Sequence, residues 1–236
     1  MKARRRAFAQ GLLESVTEFF TEFAMTRVKQ STILAIGALL SCQAAAHPHS
    51  FISMQSQLVM KEGKLTAIDM RWTMDEITSA DLLYDAGNAK PGSDVWKKLA
   101  AEVMANVLGQ HYFTEFWHGK EKVKFENLPT AYGLAREGHK AVLTFTLPLA
   151  EPQLLAGQTY QFSTFDPTYF VDMHYDKDAY VSLPAGAPKG CKLNVHTPKP
   201  NEDLTAYALS LDKADAPPED MDLGKQFAQQ VTLACP

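Results

Sequence analysis

Residues 50–74 read SFISMQSQLVMKEGKLTAIDMRWTM, and their alternation decides the fold class. Ile52, Met54, Leu58 and Met60 fall on one face of an extended run, and Ile68, Met70, Trp72 and Met74 on one face of the next. A period of two means that each run buries one side only. Between them Lys61-Glu62-Gly63-Lys64 supplies a tight turn, so the segment predicts a β-hairpin.

Downstream the period changes and then returns. Asp75 to Ala86 opens on acidic residues, as first helical turns prefer. Pro91-Gly92-Ser93-Asp94 offers a helix start, followed by Trp96, Leu99, Val103 and Val107 at helical spacing, with Gly109 as a stop. Residues 75–109 therefore predict two helices. Alternation resumes at His111–Trp117, Lys120–Phe125, Thr130–Arg136, Lys140–Leu147, Thr159–Phe165, Tyr169–His174, Ala179–Leu183 and Cys191–His196. Ala216-Pro217-Pro218 breaks the chain before a final short helix, expected over 219–231. The expected architecture is α+β: a mostly antiparallel β-sandwich of about nine strands, a two-helix insert after the first hairpin and a short C-terminal helix.

Composition divides the 236 residues into two unlike parts. From Met25 the chain has a basic start at Arg27 and Lys29, an apolar run from Ile33 to Leu40, and Ala44-Ala45-Ala46. This is the layout of a secretory signal peptide, and the apolar run is too short to span a bilayer. Residues 1–24 depart from it: Arg5-Arg6 resembles a twin-arginine signal, but Glu14, Glu18 and Glu22 interrupt its apolar stretch, which points to Met25 as the start. Residues 1–46 are thus read as a targeting segment and 47–236 as one β-rich domain in the periplasm. Cleavage after Ala46 leaves His47 first; cleavage after Ala45, or a lipid anchor at Cys42, are the alternatives. Without residues 1–46 the chain carries 17 basic and 24 acidic residues, a net charge of −7, which excludes a nucleic-acid partner. Removal of Cys42 leaves Cys191 and Cys235, and an even pair in an oxidising compartment predicts a disulfide. Cys191, Leu193 and Val195 share a face, which turns Cys191 inward.

Candidate chemistry concentrates in three places. His47-Pro48-His49 puts two imidazoles at i and i+2, and imidazole is the commonest metal ligand at neutral pH. With His47 terminal, its α-amine adds a third nitrogen, an arrangement resembling a histidine brace; Pro48 lacks an amide N–H, so no site built on a deprotonated second amide forms. Asp166-Pro167-Thr168-Tyr169-Phe170-Val171-Asp172-Met173-His174 places Phe170, Asp172 and His174 on one strand face. There Asp172 and His174 could hold one ion, while Asp166 also suits an Asp-Pro turn. Asp75-Glu76, directly after Trp72-Thr73-Met74, either caps a helix or contributes carboxylates to a metal site, directly or through a ligating histidine. His118 and His139 fall in predicted turns and His196 faces away from the core. The sequence has no paired C-x-x-C, G-x-S-x-G elbow or phosphate-cradling glycine loop.

At His47-Pro48-His49-Ser50-Phe51, Arg71-Trp72-Thr73-Met74-Asp75-Glu76 and Phe165-Asp166-Pro167-Thr168-Tyr169-Phe170, the chain resembles a family of periplasmic proteins of unknown function. These are labelled transport-system substrate-binding components, stand beside nickel/cobalt/zinc permeases of the NicO/RcnA type, and are similar to zinc-transport accessory proteins of the ZevA kind. The resemblance covers essentially all of 47–236. It implies transition-metal handling with an inner-membrane metal permease, and its marked residues fall on His47, His49, Asp75, Glu76 and Asp166. His118 and His174 lie outside that pattern. A conventional binding protein has two α/β lobes and a hinge, neither of which this sequence shows.

The leading expectation is therefore a non-enzymatic periplasmic accessory protein that binds a divalent transition metal, zinc first and nickel, cobalt or copper next. The expected metal residues are His47, His49, Asp75, Glu76, Asp166, Asp172 and His174. The competing readings are a metal-free sandwich that docks a membrane partner, and a copper oxidase built on a terminal histidine brace.

Overall fold

The computed structural model describes residues 50–184, 186–211, 217–218 and 221–236, all within one compact unit. His47, His49 and the whole targeting segment lie outside the described residues. The hairpin forms as its alternation requires: β1 (Ser50–Lys61) pairs antiparallel with β2 (Lys64–Met74) from Ile52↔Met74 to Lys61↔Lys64. Glu62 and Gly63 at the turn both take positive φ (51° and 77°), the conformation a two-residue turn between right-twisted strands demands.

The expected helices follow as α1 (Glu76–Ala86) and α2 (Asp94–Gly109). Ser93 occupies the N-cap position of α2, but its side chain makes no capping bond. The chain then forms β3 (Thr114–His118), β4 (Glu121–Lys122), β5 (Ala131–Glu137), β6 (Lys140–Leu154), β7 (Thr159–Thr164), β8 (Val171–His174), β9 (Val181–Ser182) and β10 (Lys192–His196). Helices α3 (Glu202–Ser210) and α4 (Leu223–Phe227) lead to β11 (Gln230–Ala234).

One sheet has the order β5-β6-β2-β1-β8, with β9 also on β1; the other has the order β10-β11-β7-β3-β4. All pairs are antiparallel except β1 with β8 and β1 with β9. Met54, Leu58, Ile68, Met70 and Trp72 share one core with Phe116, Tyr160 and Phe162 from the second sheet, and Trp96 and Leu99 of α2 extend it. Trp72 meets Phe145 edge-on, with ring centroids 4.9 Å apart.

His111, Tyr112 and Phe113 are consecutive left-handed residues (φ 48°, 61° and 53°), a conformation costing about 1–2 kcal/mol per residue. The turn is held because Tyr112 is buried, donates its hydroxyl to the Glu126 carbonyl at 3.1 Å and stacks on Phe145.

The structure corrects several expectations. There are eleven strands among the described residues, two of them only two residues long. The helix expected over 219–231 is the five-residue α4, and the chain beyond it is a strand. Val231 and Leu233 of β11 enter the core between β7 and β10, so pairing on both sides overrides the weak local signal. Helix α3 was not expected. The strand expected from Tyr169 begins at Val171, because Tyr169 is left-handed at φ 58°. The strand expected over Ala179–Leu183 is a turn of 3-10 helix followed by β9. The disulfide forms as expected between Cys191 and Cys235, beside the Lys192↔Ala234 end of the β10–β11 ladder. No described helix is long and apolar enough to cross a membrane.

Candidate functional site

The first residues of β1 are held from two sides. On one side stands Asp75, at the end of β2 and the N-cap of α1. Its Oδ1 accepts the main-chain N–H groups of Ile77 (2.8 Å) and Thr78 (2.9 Å). Its Oδ2 accepts the Phe51 N–H (2.7 Å) and the Thr78 hydroxyl (2.6 Å). The Asp75 N–H returns a bond to the Phe51 carbonyl at 2.9 Å, and the Ser50 and Thr78 hydroxyls lie 2.7 Å apart. Both carboxylate oxygens have two donors each, so this side chain is committed to capping α1 and fastening β1 to it. Partial burial raises the Asp75 pKa, but the bonds from Thr78, Phe51 and Ile77 outweigh it and hold the carboxyl below its ordinary range. Glu76 follows in the first turn of α1 with an exposed side chain.

On the other side stands Asp166, buried with 8% of its surface exposed. Its Oδ1 accepts the Thr168 N–H (3.0 Å) and hydroxyl (2.9 Å), and its Oδ2 accepts the Val171 N–H (3.0 Å). This is the Asp-Pro turn with a further task, because Val171 is the residue of β8 paired with Ser50. Gly224 of α4 closes the back of the loop and donates its N–H to the Pro167 carbonyl at 3.0 Å.

Along β8 the register sets Phe51 beside Asp172 and Ser53 beside His174. Met173 points into the core, so Asp172 and His174 share the opposite, outer face, as the alternation predicts. His174 lies between two carboxylates: Nδ1 is 3.6 Å from Asp172 and Nε2 is 3.1 Å from Asp176. Asp176 is also bonded by the Ser53 hydroxyl. The Asp172 carboxylate raises the His174 pKa, burial opposes it, and Asp176 adds to the rise. At 3.6 Å the Asp172 contact is longer than a hydrogen bond, and Nδ1 makes none, so its pull is coulombic.

The structure therefore gathers Asp75, Asp166, Asp172 and His174 around the first four residues of β1. Among the described residues, no group of three or more His, Cys, Asp or Glu side chains is arranged to hold a metal ion. Sequence reading missed Asp176, Ser53, Thr78 and Gly224. Asp176 had a usable signal, since it continues the alternate spacing of Asp172 and His174; the others are recognised only through contacts distant in sequence. His118, expected in a turn, is instead the last residue of β3 and half-buried: its Nε2 lies 2.7 Å from Gln158 and its ring packs at 4.7 Å on Tyr160.

The family model for the protein of unknown function DUF1007 matches residues 32–235. The chain belongs to the DUF1007 family. A relative described as an uncharacterized protein of Haemophilus influenzae is 36% identical over 203 residues, covering 86% of this chain and 97% of that protein. No solved structure matches the chain.

Proposed function

We propose that this DUF1007 protein is an exported periplasmic accessory protein that binds a divalent transition-metal ion as cargo and works with an inner-membrane metal permease. The observation that carries the reading is the anchoring of the head of β1. Asp75 grips Phe51, and Asp166 fixes Val171, the partner of Ser50. His49 immediately precedes Ser50 in the chain, and His47 stands two residues earlier.

In this reading His47 and His49 supply imidazole nitrogens, while Asp172 and His174 supply an oxygen and a nitrogen from the neighbouring strand. Glu76 adds an exposed carboxylate. Asp75 and Asp166 are positioning residues, since their oxygens are engaged by main-chain and hydroxyl donors. A nitrogen and oxygen donor set suits zinc, nickel, cobalt or copper, with zinc the first expectation. Equilibrium dialysis of the chain beginning at His47 against zinc tests it. One tightly held zinc is expected, lost in the His47→Ala, His49→Ala double variant and weakened by His174→Ala. Unchanged zinc binding in the double variant refutes the assignment.

A further inference from the structure

The outer face of the sheet that contains β1 carries an open cavity of about 560 Å³. Its floor follows from the strand registers. Ser56, Met70, Phe145 and Val181 are buried, so their neighbours along each strand point the other way. Two rows of outward side chains cross the sheet there. One is Ser182, Gln57, Asp69, Thr146 and Ala131, in step from β9 through β1, β2 and β6 to β5. The other is Gln55, Arg71, Thr144 and Gly133. All of them line the cavity, and none carries an apolar group larger than the alanine methyl at its tip.

Within these rows the charges of Asp69 and Arg71 cancel, two residues apart on β2. Asp69 accepts the Thr146 hydroxyl at 2.6 Å, and Arg71 is paired with Glu137 of β5. What the floor leaves free is hydrogen-bonding capacity. The Gln55 and Gln57 amides have no partner among the described residues, and each amide both donates and accepts. The β5 end stays open because a Cβ at Gly133 would meet only the Thr144 hydroxyl, at 3.8 Å. At the other end half-buried Tyr180, immediately before β9, lines the same cavity.

We propose that this face binds a neutral, extended oligosaccharide laid across the strands. Sugar hydroxyls donate and accept at once, which suits amides, hydroxyls, a carboxylate and a guanidinium set side by side, and the cancelled charges give no advantage to an ion. The longer row crosses four intervals between strands. At about 4.8 Å each these span about 19 Å, which holds about four pyranose units end to end, so successive sugars meet successive strands. Tyr180 offers a ring with an apolar body and a polar tip at the end of the row. A peptide fits less well. β1, β2 and β6 are paired on both sides and offer it no main-chain bonds, and the floor has no apolar pocket for its side chains. None of the floor residues is a proposed metal ligand, so sugar binding and zinc binding are lost through different variants.

The test is titration of cellotetraose, chitotetraose and maltotetraose into isotope-labelled protein, read by chemical shifts. The first two are straight β-linked chains, one with plain hydroxyls and one N-acetylated, and the third is curved. Expected is binding of at least one straight chain, with shifts centred on the two rows, and weaker binding of the corresponding disaccharide. Gln55→Ala and Gln57→Ala should each weaken binding about threefold to tenfold. Gly133→Ile should abolish it by filling the β5 end, with thermal unfolding unchanged or raised, since Gly133 is not left-handed and a β-branched residue suits a strand. If the isoleucine variant fails to fold, the two glutamine variants give the same answer. Failure of both straight chains to bind, shifts at another face, tighter binding of maltotetraose, or unchanged affinity in the glutamine variants overturns the proposal.

Discussion

Replacing Gly224 by alanine probes the joint between α4 and the Asp166 loop. A Cβ on Gly224 would stand 1.7 Å from the Asp166 carbonyl oxygen, 2.8 Å from its carbon and 3.3 Å from the Pro167 carbonyl carbon. Ordinary contact begins near 3.4 Å, and all three atoms are backbone, so no side chain can swing away to make room. The helix and the loop must part, which breaks the Gly224 to Pro167 hydrogen bond. Overpacking of this kind costs about 1–3 kcal/mol and the lost bond about 1 kcal/mol, while alanine returns about 1 kcal/mol in helix propensity. The net expectation is about 1–3 kcal/mol of destabilisation. With a urea dependence of about 2 kcal/mol per molar, the unfolding midpoint should fall by about 0.5–1.5 M. Gly109→Ala is the control: nothing lies within 4 Å of its Cβ position, so it should be neutral or gain about 0.5 kcal/mol. If Gly224→Ala unfolds within about 0.5 kcal/mol of the parent, the close approach described here is wrong.

Asp75→Ala should cost about 1–2 kcal/mol in urea unfolding, because it strips the cap from α1 and a bond from Phe51; Asp75→Asn, which keeps an acceptor oxygen, should cost less. Glu115 accepts from Lys225 at 2.8 Å and Lys122 at 3.2 Å; burial raises its pKa, but the two lysines overcome this and hold it below the ordinary value. Its contribution is therefore present above the unfolded carboxyl pKa of about 4.3 and lost as pH falls through the folded value, so Glu115→Gln should flatten the acid limb of a stability–pH profile. Reducing the disulfide, whose cysteines are 44 residues apart, should remove about 4 kcal/mol on the chain-entropy account, read as a lower urea midpoint in reductant. An unmoved midpoint would mean that the unfolded chain is already constrained there.

The fold was most legible where one segment carried its own period. The hairpin over Ser50–Met74 and the helix around Trp96 and Leu99 bury one face each, and that face is written in local spacing. β11 failed for the opposite reason: five residues, with only Val231 and Leu233 turned fully inward, owe their conformation to strands on both sides. The candidate site was half legible. Asp172 and His174 share a face by alternation alone. The bland readings of Asp75 as a helix cap and Asp166 as a turn former describe what these carboxylates do locally. Spacing could not show that the two local devices sit on either flank of the same strand, because that depends on Ser50 meeting Val171.

That parallel pairing also imposes an order of events on a chain synthesised from its N-terminus. β1 can find β2 as soon as the hairpin emerges, but its first four residues lack their second neighbour until about a hundred further residues have appeared. During that interval the residues at the head of β1 are attached to the growing domain on one flank only. The head of β1 reaches its final geometry only after β8 has docked, late in the chain's synthesis.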